Sequence, residues 1–381
     1  MKRTIYDADH ESFRKVAADF LAREVVPYFP DWESAGLVPR EIFRKVGELG
    51  VFGMQVPEEY GGAGVDSFLY SSIWTEETQK ALVHLGGLAV HMNVVMPYFL
   101  SLADEEQKQR WLPGMAAGDL LSAIAMTEPG TGSDLAGMAT TARRDGDDYL
   151  LNGAKTFITG GINAELIVVV ARTSQGESRR DGLSLLVVED GMPGFTKGAN
   201  LDKFGLRTQD TAELFFDDVR VPAANLLGEE GKGFSYLTAN LPQERLGIAV
   251  QSQAAAEAAL SVTCDYVSER KVFGSPVSAF QNTKFELASC AVDIEAGRAL
   301  VDQALLAHET DDLSAADAAR VKIFCSEMQA RVIDRCLQLH GGYGYMREYP
   351  IARLYADARV SRIYGGTTEV LKTIVAKSLG L

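Results

Sequence analysis

Residues 148–159, "DYLLNGAKTFIT", and residues 165–173, "ELIVVVART", are short β-rich runs between two long stretches of helical patterning, and their reading sets the architecture. From about residue 119 the helical period stops. "LLSAIAMTE" (120–128), "MATTARRDG" (138–146), "LSLLVVED" (183–190) and "AELFFDDVRVP" (212–222) continue the β-rich pattern, broken by Gly, Asp and Pro. Asp145-Gly146-Asp147 reads as a hairpin turn between two of these runs. No helical crossover long enough to join parallel neighbours separates them, so the expectation is an antiparallel β-barrel or sandwich over residues 119–227.

Both flanks read as helix. Within residues 1–118 the helical stretches include "DHESFRKVAADFLAREVVPYF" (9–29), "PREIFRKVGELGVFGM" (39–54) and "DEEQKQRWLPGMAAG" (104–118), the last expected to stop at Pro113 and Gly114. "PEEYGGAGVD" (57–66) is too rich in glycine for an element interior and reads as a loop. Beyond Gly228, Pro242 is expected to open a long alanine-rich helix reaching Glu269. A second runs from about Ala279 to His308, and a third from Ser314, where "SAAD" resembles a capping box with Asp in place of Glu. Long helices with short connections predict a four-helix bundle over residues 228–381, giving an α+β chain of three domains.

Bulk properties limit the function. A chain of 381 residues exceeds what one core supports, which fits that division. With 46% hydrophobic and 23% charged residues and no long apolar run, the composition is that of a soluble globular protein rather than a membrane span. A formal charge of -15 opposes a nucleic-acid partner, which demands a concentrated Lys/Arg footprint. The N-terminal residues pass straight into helical patterning without a signal core, so a cytoplasmic, bacterial location is expected over a processed mitochondrial one. Cys264, Cys290, Cys325 and Cys336 lack zinc or redox spacing and read as buried reduced thiols.

Three segments carry more than structure demands. "AMTEPGTGSD" (125–134) ends a strand in a loop of glycines and hydroxyls; it is either a plain turn or a cradle for the polar edge of a heterocycle or phosphate. "ERKVFG" (269–274) closes a helix with Arg270 and Lys271, which either compensate the helix end or clamp a phosphate of a partner. "QLHGGYGYMREYP" (338–350) ends another helix with a glycine pair that serves at least as a C-cap.

In order along the chain, "PEEYGGAG", "MTEPGTGSD", "KTFITGG", "ERKVFG", "QLHGGYGY" and "IYGGTTE" resemble the acyl-CoA dehydrogenase family of flavoproteins, closest to its long-chain type. The resemblance spans essentially the whole chain. It implies a helical N-terminal domain, a β middle domain and a C-terminal four-helix bundle, assembled as a homotetramer, a dimer of dimers, with one FAD per subunit. It also implies an acyl-CoA substrate and a soluble electron-transfer flavoprotein as electron acceptor. Met126, Thr127, Gly132, Ser133, Phe157, Ile158 and Thr159 match positions that line the flavin, Phe157 standing where many relatives have Trp. Arg270, Phe273 and Gln281 match residues that reach the cofactor of a neighbouring subunit. Gln338, Gly341 and Gly342 match contacts to its dinucleotide portion, and Thr367 and Glu369 match positions near the pyrophosphate and adenine.

The family's reaction takes a proton from the α carbon of an acyl-CoA thioester while the β carbon gives a hydride to the flavin. Many members place the proton-accepting Glu just after the aromatic residue of the last motif. Here that place is Gly365, behind Tyr364. Glu244, in "LPQER", resembles the alternative base position of the isovaleryl and long-chain branches. Its surroundings are expected to raise its proton affinity by burial while the nearby helix start lowers it. Gly365 keeps the backbone N–H that the resemblance assigns to the substrate carbonyl, and its missing side chain is expected to free volume beside the reacting carbons. Ser133, Arg245, Tyr364 and Gly366 complete the expected substrate contacts. The rival readings are an oxidase returning electrons to O2, a flavin-bearing subunit that has lost catalysis, and a DNA-associated relative, which the acidic balance opposes.

Overall fold

In the computed structural model, which describes residues 3–381, the β-rich middle forms one eight-stranded sheet. Its strands are β1 (Ser122–Ala125), β2 (Thr141–Asp145), β3 (Asp148–Thr159), β4 (Leu166–Arg172), β5 (Leu183–Glu189), β6 (Phe195–Lys197), β7 (Thr211–Pro222) and β8 (Leu226–Leu227). Their order is β6-β7-β3-β2-β4-β5-β8, with β1 added on β4. Most pairs are antiparallel, but β1–β4 and β2–β4 are parallel, so the sheet is mixed rather than wholly antiparallel. The expectation missed this because it looked for a helical crossover, whereas the chain returns from β1 to β4 through the β2–β3 hairpin.

β4 shows why the sheet holds its neighbours. Leu166, Val168 and Val170 point to one face and pack with Phe99, Trp111, Leu112 and Met115 of the helical domain. Ile167, Val169 and Ala171 point to the other and meet Leu151, Leu214, Phe216 and Val219 in a separate core. A strand buried on both faces reads as a continuous apolar run, as "LIVVVA" does.

Before the sheet lie α1 (Ala8–Phe20), α2 (Phe29–Ala35), α3 (Arg40–Glu48), α4 (Phe68–Lys80), α5 (Leu88–Val90), α6 (Met96–Leu102) and α7 (Glu105–Ala117). α7 starts on a capping box, Asp104 with Gln107, runs through Pro113 and stops at Gly118, whose φ of 74° suits glycine. Its expected end at Pro113 is therefore too early. A π-helical turn, His91–Val95, leads into α6.

After the sheet come α8 (Gly233–Glu269), a small hairpin of β9 (Lys271–Val272) and β10 (Ser275–Pro276), α9 (Gln281–Glu309), α10 (Ala315–His340), α11 (Pro350–Ala358) and α12 (Thr368–Ser378). Pro242 sits inside α8, not at its start. Buried Ala256 and Ala259 on α8 bring Cys290 and Ile294 of α9 and Met328 and Val332 of α10 into one core. α4 adds Phe68 and Leu69 to a second core with Leu246, Ala249 and Val250, so the N-terminal domain packs against the segment of α8 that bears Glu244. Cys290, Cys325 and Cys336 are buried, but Cys264 is exposed, against expectation.

Candidate active site

Glu244 is the twelfth residue of α8, about 17 Å from its first, so the helix-end field that acts within one turn does not reach it. The expected opposition between burial and helix start is replaced by burial against local partners. Glu244 is 9% exposed and its carboxyl is pushed up to about 7 by burial, which outweighs the Arg245 charge and the hydrogen bond from Tyr98. The Tyr98 hydroxyl donates to Glu244 Oε1 at 3.4 Å from the start of α6. The flanking residues fix this part of α8: Asn240 Nδ2 donates to the Val94 carbonyl and Gln243 Nε2 to the Asn93 carbonyl, each at 3.0 Å. Both acceptors belong to the π-helical turn, a local irregularity frequent at functional sites.

Gly365 and Gly366 form a turn just before α12, with φ of 64° and 97°, a region closed to most side chains. Two buried cations hold it. Arg245 Nε donates to the Gly365 carbonyl at 3.2 Å and Lys322 Nζ, from α10, to the Gly366 carbonyl at 2.9 Å. A Cβ added at Gly365 would lie 2.4 Å from Ile248 Cδ1. Ile248 follows Glu244 by one helical turn and shares its face, so the face of α8 that carries Glu244 is the one presented to the diglycine turn. The same contact corrects the expectation of free volume: Ile248 fills it. Arg245, expected as a substrate contact, is 5% exposed as a residue, and its guanidinium donates to the turn. Tyr364 is half-buried, and burial holds its hydroxyl protonated well above the usual range. Lys322 escaped sequence reading, where it looked like one more polar position of an amphipathic helix.

The proposed flavin-lining residues converge on β3 and the loop after β1. Phe157 is 68% exposed and has a φ of 59°, at a break in the β3–β7 register. An aromatic ring held outward in a strained backbone is a surface kept for contact. Ile158 points into the sheet core and Thr159 Oγ1 accepts from Gln209 Nε2, while both backbones stay paired with β7. Gly132 and Ser133 are exposed, and their N–H groups have no acceptor among the described residues. Thr156 N–H donates to the Thr127 carbonyl at 2.9 Å, joining strand and loop.

Under this loop lies a pair not foreseen from sequence. Lys155 Nζ, fully buried, donates to Glu128 Oε1 at 2.9 Å and to the Met126 carbonyl at 3.0 Å. Glu128 in turn accepts from the N–H groups of Ala139 and Thr140. Burial lowers the Lys155 ammonium to about 8, while the hydrogen bonds keep the Glu128 carboxyl below its usual value despite burial. β3 is also tied to the turn: Gln209 reaches Thr159, and the Leu206 N–H donates to Asp357 of α11, which leads to Tyr364.

Arg270, Phe273, Gln281, Gln338, Gly341 and Gly342 gather at the other end of the bundle, all exposed. Arg270 caps the end of α8 and its guanidinium lies 5.2 Å from the Tyr343 ring. Phe273, 97% exposed at a φ of 50°, tips the β9–β10 hairpin, and no chain atom lies within 4 Å of a Cβ added at Gly341 or Gly342. From Glu244 to Arg270 is 26 residues of one helix, about 39 Å, so these two sets do not share one small ligand within a protomer. Thr367 caps α12 through Val370 N–H, and Glu369, exposed in its first turn, folds back on Thr367 and its own N–H, which lowers its carboxyl.

Comparison with known families identifies the three domains. The models for the acyl-CoA dehydrogenase N-terminal, middle and C-terminal domains match residues 7–119, 123–219 and 231–380. The chain is 46% identical over 378 residues to the long-chain specific acyl-CoA dehydrogenase, mitochondrial, of Sus scrofa, covering 99% of this chain and 88% of that one. The crystal structure of an acyl-CoA dehydrogenase from Geobacillus kaustophilus superposes with a TM-score of 0.97 at 49% identity, covering 99% of each chain. A structure reported for the electron transferring flavoprotein of Acidaminococcus fermentans matches with a TM-score of 0.93 at 35% identity, covering 100% of this chain and 99% of that one. Similarity of this extent across all three domains makes the chain a member of the acyl-CoA dehydrogenase family and an oxidoreductase.

Proposed function

We propose that the chain is an FAD-dependent enzyme that converts an acyl-CoA thioester to its trans-2-enoyl-CoA, with Glu244 as the base. The observation that carries this is a buried carboxyl raised to about 7, on the face of α8 that meets the diglycine turn where relatives of another branch keep their Glu. At that value the carboxylate is available near neutral pH yet basic enough to take a proton. Its oxygen receives the proton from the α carbon. The Gly365 N–H donates a hydrogen bond to the thioester oxygen as negative charge gathers there, needing no reorganisation. Tyr98 orients the carboxylate, and the packing of α4 and α6 around α8 keeps water from it.

The exposed Phe157 ring and the unpaired N–H groups of Gly132 and Ser133 suit a flat heterocycle with polar edges, so Met126, Thr127, Gly132, Ser133, Phe157, Ile158 and Thr159 would hold the FAD ring. Arg270, Phe273, Gln281, Gln338, Gly341 and Gly342 would hold the far end of a neighbouring subunit's FAD, consistent with their separation from Glu244 and in a homotetramer; Thr367 and Glu369 would lie near the pyrophosphate. When bound, FAD supplies the two-electron acceptor that no side chain here can replace. An electron-transfer flavoprotein would then reoxidise the enzyme, in a cytoplasmic setting, and the domain borders would fall near residues 118 and 227. Among the described residues no helix is long and apolar enough to cross a membrane.

The test is anaerobic titration of the purified holoenzyme with acyl-CoAs from short to long, straight and branched. Loss of the flavin's visible absorbance with at least one of them is expected, and failure with all contradicts the reading. Hydrogen peroxide formation in air at the rate of turnover would instead indicate an oxidase.

A further inference from the structure

We infer that Lys322 is a positioning residue: together with Arg245 it braces the Gly365–Gly366 turn from behind, so that the chain immediately following the Gly365 N–H is pinned and that donor is held at the thioester oxygen. The inference rests on the reading of Glu244 and this turn as the active site. Lys322 is fully buried, yet among the described residues no carboxylate lies within ion-pair distance of it. A lysine buried without such a partner is uncommon and costs desolvation that Met or Leu at the same place would avoid. Its ammonium donates to one backbone carbonyl outside its own helix, that of Gly366, while Arg245, also buried, donates to that of Gly365. Two helices thus place one cation each on consecutive carbonyls of one turn.

The geometry has a consequence for the opposite side of each peptide group. In a trans peptide the C=O and the following N–H point opposite ways. Drawing the Gly365 carbonyl to α8 and the Gly366 carbonyl to α10 turns the N–H groups of Gly366 and Thr367 away from both helices. The N–H groups of Gly365, Gly366 and Thr367 have no acceptor among the described residues. Glycine's freedom means that the local sequence cannot fix such a turn, and the brace supplies what it lacks. The two positive charges also lie behind the donors, where they favour negative charge in front of them.

The test compares Lys322→Met and Lys322→Gln with the wild-type holoenzyme. Three quantities are read: the rate of flavin bleaching by acyl-CoA, the Kd for the enoyl-CoA, and amide hydrogen exchange at residues 364–367. Lys322→Met is expected to slow bleaching by at least about tenfold, a fraction of the effect of losing an oxyanion donor outright. The Kd stays within about threefold and exchange rises at the turn alone, as befits loss of an interaction specific to the transition state. Lys322→Gln, which still donates to a carbonyl, recovers most of the rate. A Lys322→Met rate near wild type, an equal loss of ligand affinity, or unchanged exchange at the turn overturns the proposal. If the Met variant fails to fold, the Gln variant carries the test: slowed bleaching proportional to raised turn exchange supports the brace, and raised exchange across the whole bundle rejects it. Wild-type bleaching is measured alongside. If it fails, the active-site reading falls, while exchange at the turn still decides whether Lys322 braces it.

Discussion

Restoring a carboxylate to the last motif, Gly365→Glu in a Glu244→Gln background, asks whether the turn is committed to a base on the other helix. Two costs follow from the geometry. A non-glycine residue at a φ of 64° is strained by about 1–2 kcal/mol. Its Cβ would stand 2.4 Å from Ile248 Cδ1, so Ile248 must leave its rotamer or push α8, an overpacking cost of about 1–3 kcal/mol. The sum is about 2–5 kcal/mol, large beside typical single-site effects. Calorimetric melting should show a clear drop for the double variant relative to Glu244→Gln alone, and anaerobic bleaching should stay at least about tenfold slower than wild type, because the new carboxylate is displaced from its productive position. Adding Ile248→Ala removes the steric part only, so the rate should rise while strain of about 1–2 kcal/mol persists. Stability equal to that of Glu244→Gln and a wild-type rate for Gly365→Glu/Glu244→Gln, with Ile248→Ala adding nothing, would refute this reasoning.

Other perturbations test other parts. The Glu244 carboxyl is raised from 4.5 to about 7, so between those values the folded chain holds a proton that the unfolded chain has lost, and stability falls as pH rises. Glu244→Gln should remove that fall and exceed the wild type by about 3 kcal/mol at pH 8, read from denaturation midpoints at pH 5 and 8. Phe157→Asn, which tolerates positive φ, should leave the apoprotein at least as stable while weakening FAD retention by at least about tenfold on gel filtration, since the ring's burial in the chain is slight. Lys155→Met should cost about 3–5 kcal/mol by stranding the buried Glu128 carboxylate, and Lys155→Met/Glu128→Gln should recover part of it; additive losses would show that the two act apart.

The sequence carries the architecture because its signals are local: "LIVVVA" announces a strand covered on both faces, and the alanines of α8 announce close helices. Glu244 could be singled out for its likeness to a base, and its burial is consistent with that choice. The opposing helix-start field expected there is missing, because Pro242 resembled a helix start and hid the preceding turns of α8. Arg245 and Lys322 were illegible for a related reason. What distinguishes them is a carbonyl more than 40 residues away, and no periodicity records such a partner. The Lys155–Glu128 pair is similar: each residue alone looks like an ordinary charge in a strand or loop, and only the fold removes both from water.

The most direct measurement is single-turnover flavin bleaching by Glu244→Gln under anaerobic conditions, with FAD content and enoyl-CoA affinity determined on the same sample. The account predicts normal FAD and ligand binding with bleaching slowed by at least about a hundredfold, the scale of a general base. Bleaching at close to the wild-type rate would show that another group takes the proton.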